Sequence, residues 1–370
     1  MKPHNEAIYC MALTMIPGIG IVSAKRLIEK AGSAFEAFTH FNQLLYEAKS
    51  KISPLLHPTE ILQECEKIYH NSVENGIEVI PFYDIKYPTR LKECDDSPIL
   101  LYCKGSTNLN KHKIVSIVGT RNMTSYGEQF CNDLISSLAV FNKDITIVSG
   151  LAYGVDITAH KRALKEELET IAVLAHGLDM IYPYNHRSIA SKIIKQGVLL
   201  SEYPIGIFPD RHHFISRNRI IAGLSDATII IESAAKGGAL ITADLANDYN
   251  RECFALPGRY QDTFSAGCNK LIKENKAQII ESAIDFIEAM NWGESNIPKQ
   301  KESQLSLFTQ ELTKEEATII QQIKDKGPIS IDYLAQITQL EVYKLHPILF
   351  ELEMKGLIRS SGGSSYQLNN

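Results

Sequence analysis

Ile114-Val115-Ser116-Ile117-Val118-Gly119-Thr120-Arg121, followed closely by Thr124-Ser125-Tyr126-Gly127, is a short apolar run ending in a glycine turn and a helix start. A run without polar alternation suits a parallel strand whose two faces are both covered by helices. The same unit recurs at Ile145 to Val148, Ile171 to Leu174, Val198 to Leu200, Thr228 to Ile231, Cys253 to Leu256 and Gln278 to Ile280. Strand starts lie about 25 to 30 residues apart, the length of a strand plus its crossover helix. Helix-like stretches at Glu128 to Val140, Ile157 to Lys165 and Ala243 to Asn250 fill the gaps. The expected fold is α/β, a Rossmann-like doubly wound and mostly parallel sheet with right-handed crossovers.

In such a sheet ligands sit beyond the carboxyl ends of the strands, so the residues after each strand carry the chemistry. Gly119 and Thr120 offer backbone amides to an anion, and Arg121 adds a fork that matches phosphate. Ser149-Gly150 after the second strand and His176-Gly177 after the third give further small-residue loops. Lys236-Gly237-Gly238 precedes a helix and forms another amide nest with a charge beside it. Between Ile205 and Gly223 there are three arginines and one aspartate, a local charge of +2 in a chain of net charge -5. Arg217-Asn218-Arg219 precedes an apolar run, so these groups are expected near a helix N-terminus, with Phe214 as a stacking face for a base. On that reading both arginines can be replaced by alanine without loss of the fold. The competing reading pairs one of them with a buried carboxylate such as Asp226.

Outward from the core, residues 1–75 read as a helical module of helix-hairpin-helix or SAM-like type. Its Pro17-Gly18-Ile19-Gly20 turn leads into a helix with Lys25, Arg26 and Lys30. Residues 76–290 form the Rossmann-like core with a lead-in segment. Residues 291–312, poor in periodicity, read as a linker. From 313 to 370, three helices and a hairpin follow the winged-helix order. That module carries six Lys and Arg against seven Asp and Glu, and Pro347 is expected to break or bend its third helix. A recognition helix should be basic, so a protein-contact role is favoured over DNA reading.

The seven cysteines are scattered with no CxxC pair, favouring reduced thiols in a cytoplasmic protein over disulfides or zinc. No apolar stretch reaches the ~18 residues of a membrane span, and the N-terminus lacks a signal-peptide pattern. No GxGxxG follows a strand, which argues against NAD, and no metal or other cofactor is expected.

The blocks VGTRNMTSYG (118–127), SGLAYGVDITAH (149–160), GLDMIYP (177–183), SEYP (201–204), RNRIIAGLSD (217–226), GGALITADLA (237–246) and ALPGRYQDTFSAGCNKLI (255–272) occur in this order. In them the chain resembles the DNA-processing protein A (DprA, or Smf) family. The resemblance implies a binder of single-stranded DNA rather than an enzyme. It further implies a homodimer formed through the Rossmann-like core that loads the RecA recombinase during natural transformation. Carried over by position, the phosphate-contacting arginine is Arg121 and the RNR block is Arg217, Asn218 and Arg219. Ser149-Gly150 and Gly237-Gly238 match pocket loops. The basic residue usual after the Tyr-Pro has no clear equivalent, and Arg187 takes its place. Lys236-Gly237-Gly238-Ala239 departs from the usual serine-glycine-serine.

The main alternative is a nucleotide hydrolase of the lysine-decarboxylase-like group, which shares a glycine pair before a helix. Its second glycine motif and glutamate are missing from Gly237 to Asp244, and no GxSxG or HExxH occurs, so no catalytic residue is assigned. A transcription regulator built on the C-terminal module would leave the large core unexplained.

Overall fold

A computed structural model describes residues 5–47, 57–293, 313–327, 329–355, 357–360 and 365–368. Two compact units emerge, Met1–Lys299 and Gln300–Asn370. The stretch expected to be a linker lies, from residue 294 to 312, outside the described residues, as do residues 1–4 and 361–364.

Among the described residues five helices lead: α1 (Glu6–Met15), α2 (Ile21–Ala31), α3 (Ala34–Thr39), α4 (Phe41–Glu47) and α5 (Pro58–Glu74). Asn5 caps α1 by accepting from the Ala7 amide, and Gly32 ends α2 in the left-handed conformation that glycine adopts without strain. Their apolar faces do not form a separate core. Leu13, Ile28 and Phe38 belong to the same cluster as Ile114 and Leu200 of the sheet. Lys25, read from sequence as a cation beside the turn, is turned inward. Its Nζ donates to Ser97 Oγ at 2.6 Å and stands 4.3 Å from the Phe82 ring, and burial pulls its pKa down to about 8.

The sheet has nine strands: β1 (Glu78–Pro81), β2 (Leu100–Gly105), β3 (Lys113–Val118), β4 (Ile145–Ser149), β5 (Thr170–Leu174), β6 (Val198–Ser201), β7 (Ala227–Ile230), β8 (Glu252–Ala255) and β9 (Gln278–Ile279). Their spatial order is β1-β2-β6-β5-β4-β3-β7-β8-β9. From β6 to β9 every pair is parallel, while β1 and β2 add an antiparallel edge. The helices are α6 (Thr89–Lys92), α7 (Ser125–Phe141), α8 (Val155–Lys165), α9 (Arg187–Gln196), α10 (Arg211–Leu224), α11 (Gly238–Asp248), α12 (Ala266–Lys273) and α13 (Ala283–Ala289).

Strand alternation divides the interior. Val115 and Ile117 of β3 join a core with α7, α8 and α13, whereas Ile114 and Val118 join the larger one with α10, α11 and α12. Sequential strands run from β3 out to β6, and the chain then returns to place β7 on the other side of β3. The order therefore reverses between β3 and β7, which is where an open α/β sheet leaves a crevice.

In the second unit α14 (Lys314–Lys326), β10 (Ile329–Ser330), α15 (Ile331–Thr338), α16 (Val342–Met354), β11 (Ile358–Ser360) and β12 (Ser365–Leu368) form a winged helix with sheet order β10-β12-β11. Thr313 and Glu316 make a capping box on α14. Pro347 lies inside α16 and does not end it.

All seven cysteines are free and buried. Among the described residues no helix is long and apolar enough to cross a membrane, and no cluster of His, Cys, Asp or Glu is placed to hold a metal. His160 is instead a core residue. Its Nδ1 meets Thr170 Oγ1 at 2.7 Å, and burial, with Arg217 and His186 nearby, pushes its pKa from 6.5 down to about 3. The unfolded chain thus takes up a proton that the fold refuses, so stability is intact above pH 6.5 and is lost as pH falls toward 3. The expected slope is about 1.4 kcal/mol per pH unit for this one proton. Urea midpoints measured from pH 7 to pH 4 should fall more steeply for the parent than for His160→Gln; equal slopes would refute the assignment.

Candidate nucleic-acid interface

At the strand-order reversal a crevice of about 940 Å³ opens beyond the carboxyl ends of β3, β4, β5 and β7. Gly119, Thr120 and Arg121 line it from β3, Phe214, Arg217 and Asn218 from α10, and Lys236, Gly237 and Gly238 from the loop after β7. Glu232, buried just after β7, organises the first of these loops. Its carboxylate accepts from Thr124 N at 2.8 Å and Thr124 Oγ1 at 2.5 Å, and its carbonyl accepts from Thr120 N at 2.7 Å. A side chain at Gly119 would overlap Val155, so only glycine lets β3 and α8 approach this closely. The Thr120 amide, expected to be open to an anion, is therefore already engaged.

Arg121 is exposed, and its guanidinium lies 5.5 Å from the Phe214 ring centroid. Tyr182, from the loop after β5, sets its ring 5.8 Å from Phe214. A cation and two aromatic faces thus share one wall. In the same crevice, α11 starts with Gly237 as N-cap and no side-chain cap. Among the described residues the Gly238 and Ala239 amides meet no acceptor, so they are open to an anion at the positive end of the helix. Lys236 is exposed beside them. The crevice carries four cationic side chains, Arg121, Arg211, Arg217 and Lys236, against the carboxylates of Asp156 and Asp210.

Arg217 is not the exposed fork the sequence implied. It forms the floor, 4% exposed, with Nη1 donating to Val173 O at 2.6 Å and Nε unpartnered. Burial pulls its pKa down, while the buried Asp156 carboxylate opposes that shift. Burial likewise pushes the Asp156 carboxyl up, and Arg217 pulls it back. Ser149 and Gly150 support this floor and do not line the crevice. Ser149 Oγ donates to Ile117 O at 2.6 Å, and Gly150 leaves the space the Arg217 guanidinium fills. Gly150→Ala should expel that guanidinium and destabilise the protein by about 1–3 kcal/mol. An unchanged melting curve for this variant would contradict the packing.

Arg219 and Arg187 leave the expected set. The helix begins at Arg211, not after Arg219, so residues 217 and 219 sit mid-helix and roughly 200° apart around its axis. Arg219 consequently faces away and forms an ion pair with Glu202, both about a tenth exposed. Asp226, the carboxylate suspected from sequence, is bound by Arg90. Arg187 stands at the start of α9 and lines a separate cavity of about 390 Å³ with Lys104 and Tyr184. Sequence reading also passed over Arg211, Tyr182 and Asp156 as site residues. Asp210 caps α10 by accepting from His212 N at 2.8 Å, and that Asp-x-His step was the available signal that Arg211 opens the helix.

Residues 78–291 match the family model of DNA recombination-mediator protein A, and residues 307–364 match the DprA winged helix domain. The chain is 31% identical to Protein Smf of Synechocystis sp. across 98% of its own length and 99% of that protein. It is 42% identical to DNA processing protein DprA of Bacillus subtilis, over 59% of this chain and 72% of the relative. The solved DNA processing protein A of Streptococcus pneumoniae matches with TM-score 0.65 and 30% identity, covering 78% of this chain and 98% of that one. DNA processing protein A from Helicobacter pylori, solved to describe its single-stranded DNA binding mode, matches with TM-score 0.53 and 34% identity over 58% of this chain and 96% of that one.

Proposed function

This chain belongs to the DNA recombination-mediator protein A family, and we propose that it holds single-stranded DNA in the crevice and passes it to the RecA recombinase. The family is one of DNA-binding recombination mediators, not of enzymes. The observation that carries the reading is the convergence of Arg121, Arg211, Lys236 and the open α11 amides on one cleft that also presents Phe214 and Tyr182. Phosphates would meet the cations and amides, and bases would stack on the rings. A duplex keeps its bases paired and cannot use those rings, so single strands are preferred. Phosphate carries no sequence, so binding tolerates any sequence. A homodimer built through the core would present two such crevices and gain avidity. RecA loading during natural transformation is the use we assign to the held strand.

The test titrates labelled single- and double-stranded oligonucleotides at two salt concentrations, with a parallel screen for nucleotide hydrolysis. If three or four phosphates are neutralised, raising salt fourfold should weaken single-strand binding by roughly 20- to 50-fold. Preference for duplex, or nucleotide turnover, would overturn the binder reading. For the second half, the lag in RecA ATPase on protein-coated single strands should shorten with the parent and not with Arg121→Ala.

A further inference from the structure

The chain carries a second positively charged surface, outside the crevice. Lys161 and Lys165 on α8, and Lys192 and Lys195 on α9, rim a groove of about 640 Å³. Each pair sits one helical turn apart and shares a helix face. Leu164 and Ile189, both half-buried, form the floor. Gln196 ties the two helix ends together, its Nε2 donating to Leu168 O at 2.7 Å. Among the described residues no carboxylate lines the groove; of its neighbours, Glu166 and Glu169 are bound by Arg162 and Lys111, and Glu167 is exposed to solvent. All four lysines are exposed, and among the described residues none forms an ion pair. Lys165 and Lys195 lie in the last turns of their helices, where a cation offsets the helix dipole. Lys161 and Lys192 lie a turn earlier and have no such local role.

We propose that this groove docks an acidic, partly apolar segment of a partner protein. Carboxylates would meet the lysine rim while an apolar side chain covers Leu164 and Ile189. A nucleic-acid strand fits less well. The groove has no aromatic ring for a base and no arginine fork, both of which the crevice supplies. The chain carries a net charge of -5, so capture of an acidic peptide must be local to a cationic rim of this kind. The groove shares no lining residue with the crevice, which leaves the two sites separable.

The experiment uses the full chain and fluorescence anisotropy of a labelled peptide composed of aspartate and leucine. Controls are the same peptide with asparagine for aspartate, one with serine for leucine, and a labelled duplex oligonucleotide. The variant is the double substitution Lys161→Glu, Lys192→Glu, both at exposed positions. The aspartate–leucine peptide should bind the parent, and the variant should bind it more weakly by a factor on the order of ten or more. Both peptide controls should bind the parent more weakly, and single-strand binding in the crevice should be the same for parent and variant. Equal peptide binding by parent and variant, or no binding by the parent, overturns the proposal. Loss of duplex binding in the variant without peptide binding to the parent assigns the groove to nucleic acid and also overturns it.

Discussion

Arg121→Ala should lower affinity for single-stranded oligonucleotides by roughly ten- to a hundredfold while leaving the melting temperature unchanged. Its guanidinium is exposed and, among the described residues, pairs with no carboxylate. Removal therefore strands no buried group, and surface changes of this kind shift stability by no more than about 0.5 kcal/mol. What is lost is a charge-assisted contact to phosphate, worth about 1.5–3 kcal/mol. Arg121→Lys separates charge from geometry. It keeps the cation but gives up the planar fork stacked near Phe214, so an intermediate affinity is expected. Anisotropy titration alongside circular-dichroism melts measures both quantities. Parent-like affinity in the alanine variant would remove Arg121 from the interface and, with it, the main wall of the crevice.

Arg219→Ala has the opposite signature. Removing one partner of a buried ion pair leaves the other charged and unpaired, at a cost of about 3–5 kcal/mol. Glu202 is that stranded partner, and His213 is the other charged or titratable group near it that also favours its ionised form. A fall in denaturation midpoint is expected, with parent-like oligonucleotide affinity for the fraction that remains folded. Burial already pushes the Glu202 carboxyl up, and loss of the arginine pushes it further. A carboxyl whose folded pKa is raised destabilises the fold once pH exceeds its unfolded value, so the deficit should shrink as the solution is acidified. Joint replacement, Arg219→Met with Glu202→Leu, should recover much of the loss by removing both charges together. A stable single variant with weakened DNA binding would return Arg219 to the interface.

Arg121 and Arg219 differ for a reason the sequence hardly displays. Both stand in blocks of the family pattern, and both are arginines near glycine or asparagine. Arg121 follows a strand directly, so its placement at the sheet's carboxyl edge came with the strand itself. Arg219 belongs to a helix whose start was placed too late, and a shift of that start rotates every side chain in it. Two residues along a helix reverse the facing direction, and that is enough to exchange a ligand site for an internal pair. Ser149 and Gly150 show the same limit in a strand-end loop. Small residues there made room, but for Arg217 and not for DNA.

The antiparallel edge formed by β1 and β2 was also not read from sequence. Leu100 to Gly105 is apolar like the parallel strands, yet no crossover helix separates it from β3 at the recurring interval. Its partner β1 is only four residues long. Strand pairing is a contact between distant segments, so a short edge strand leaves little local trace.

Legible in the chain were the seven parallel strands, three of the helices between them, the winged-helix order and the crevice location. These follow from local periodicity, turn residues and the strand spacing, which act over a few residues at a time. Which arginine faces solvent and which is buried, the inward turn of Lys25, and the sharing of one groove by four lysines from two helices came from packing across the whole fold. Those outcomes depend on the rotation of helices packed against a sheet and on which carboxylate lies opposite, and both are set by the whole fold rather than by neighbours in the chain.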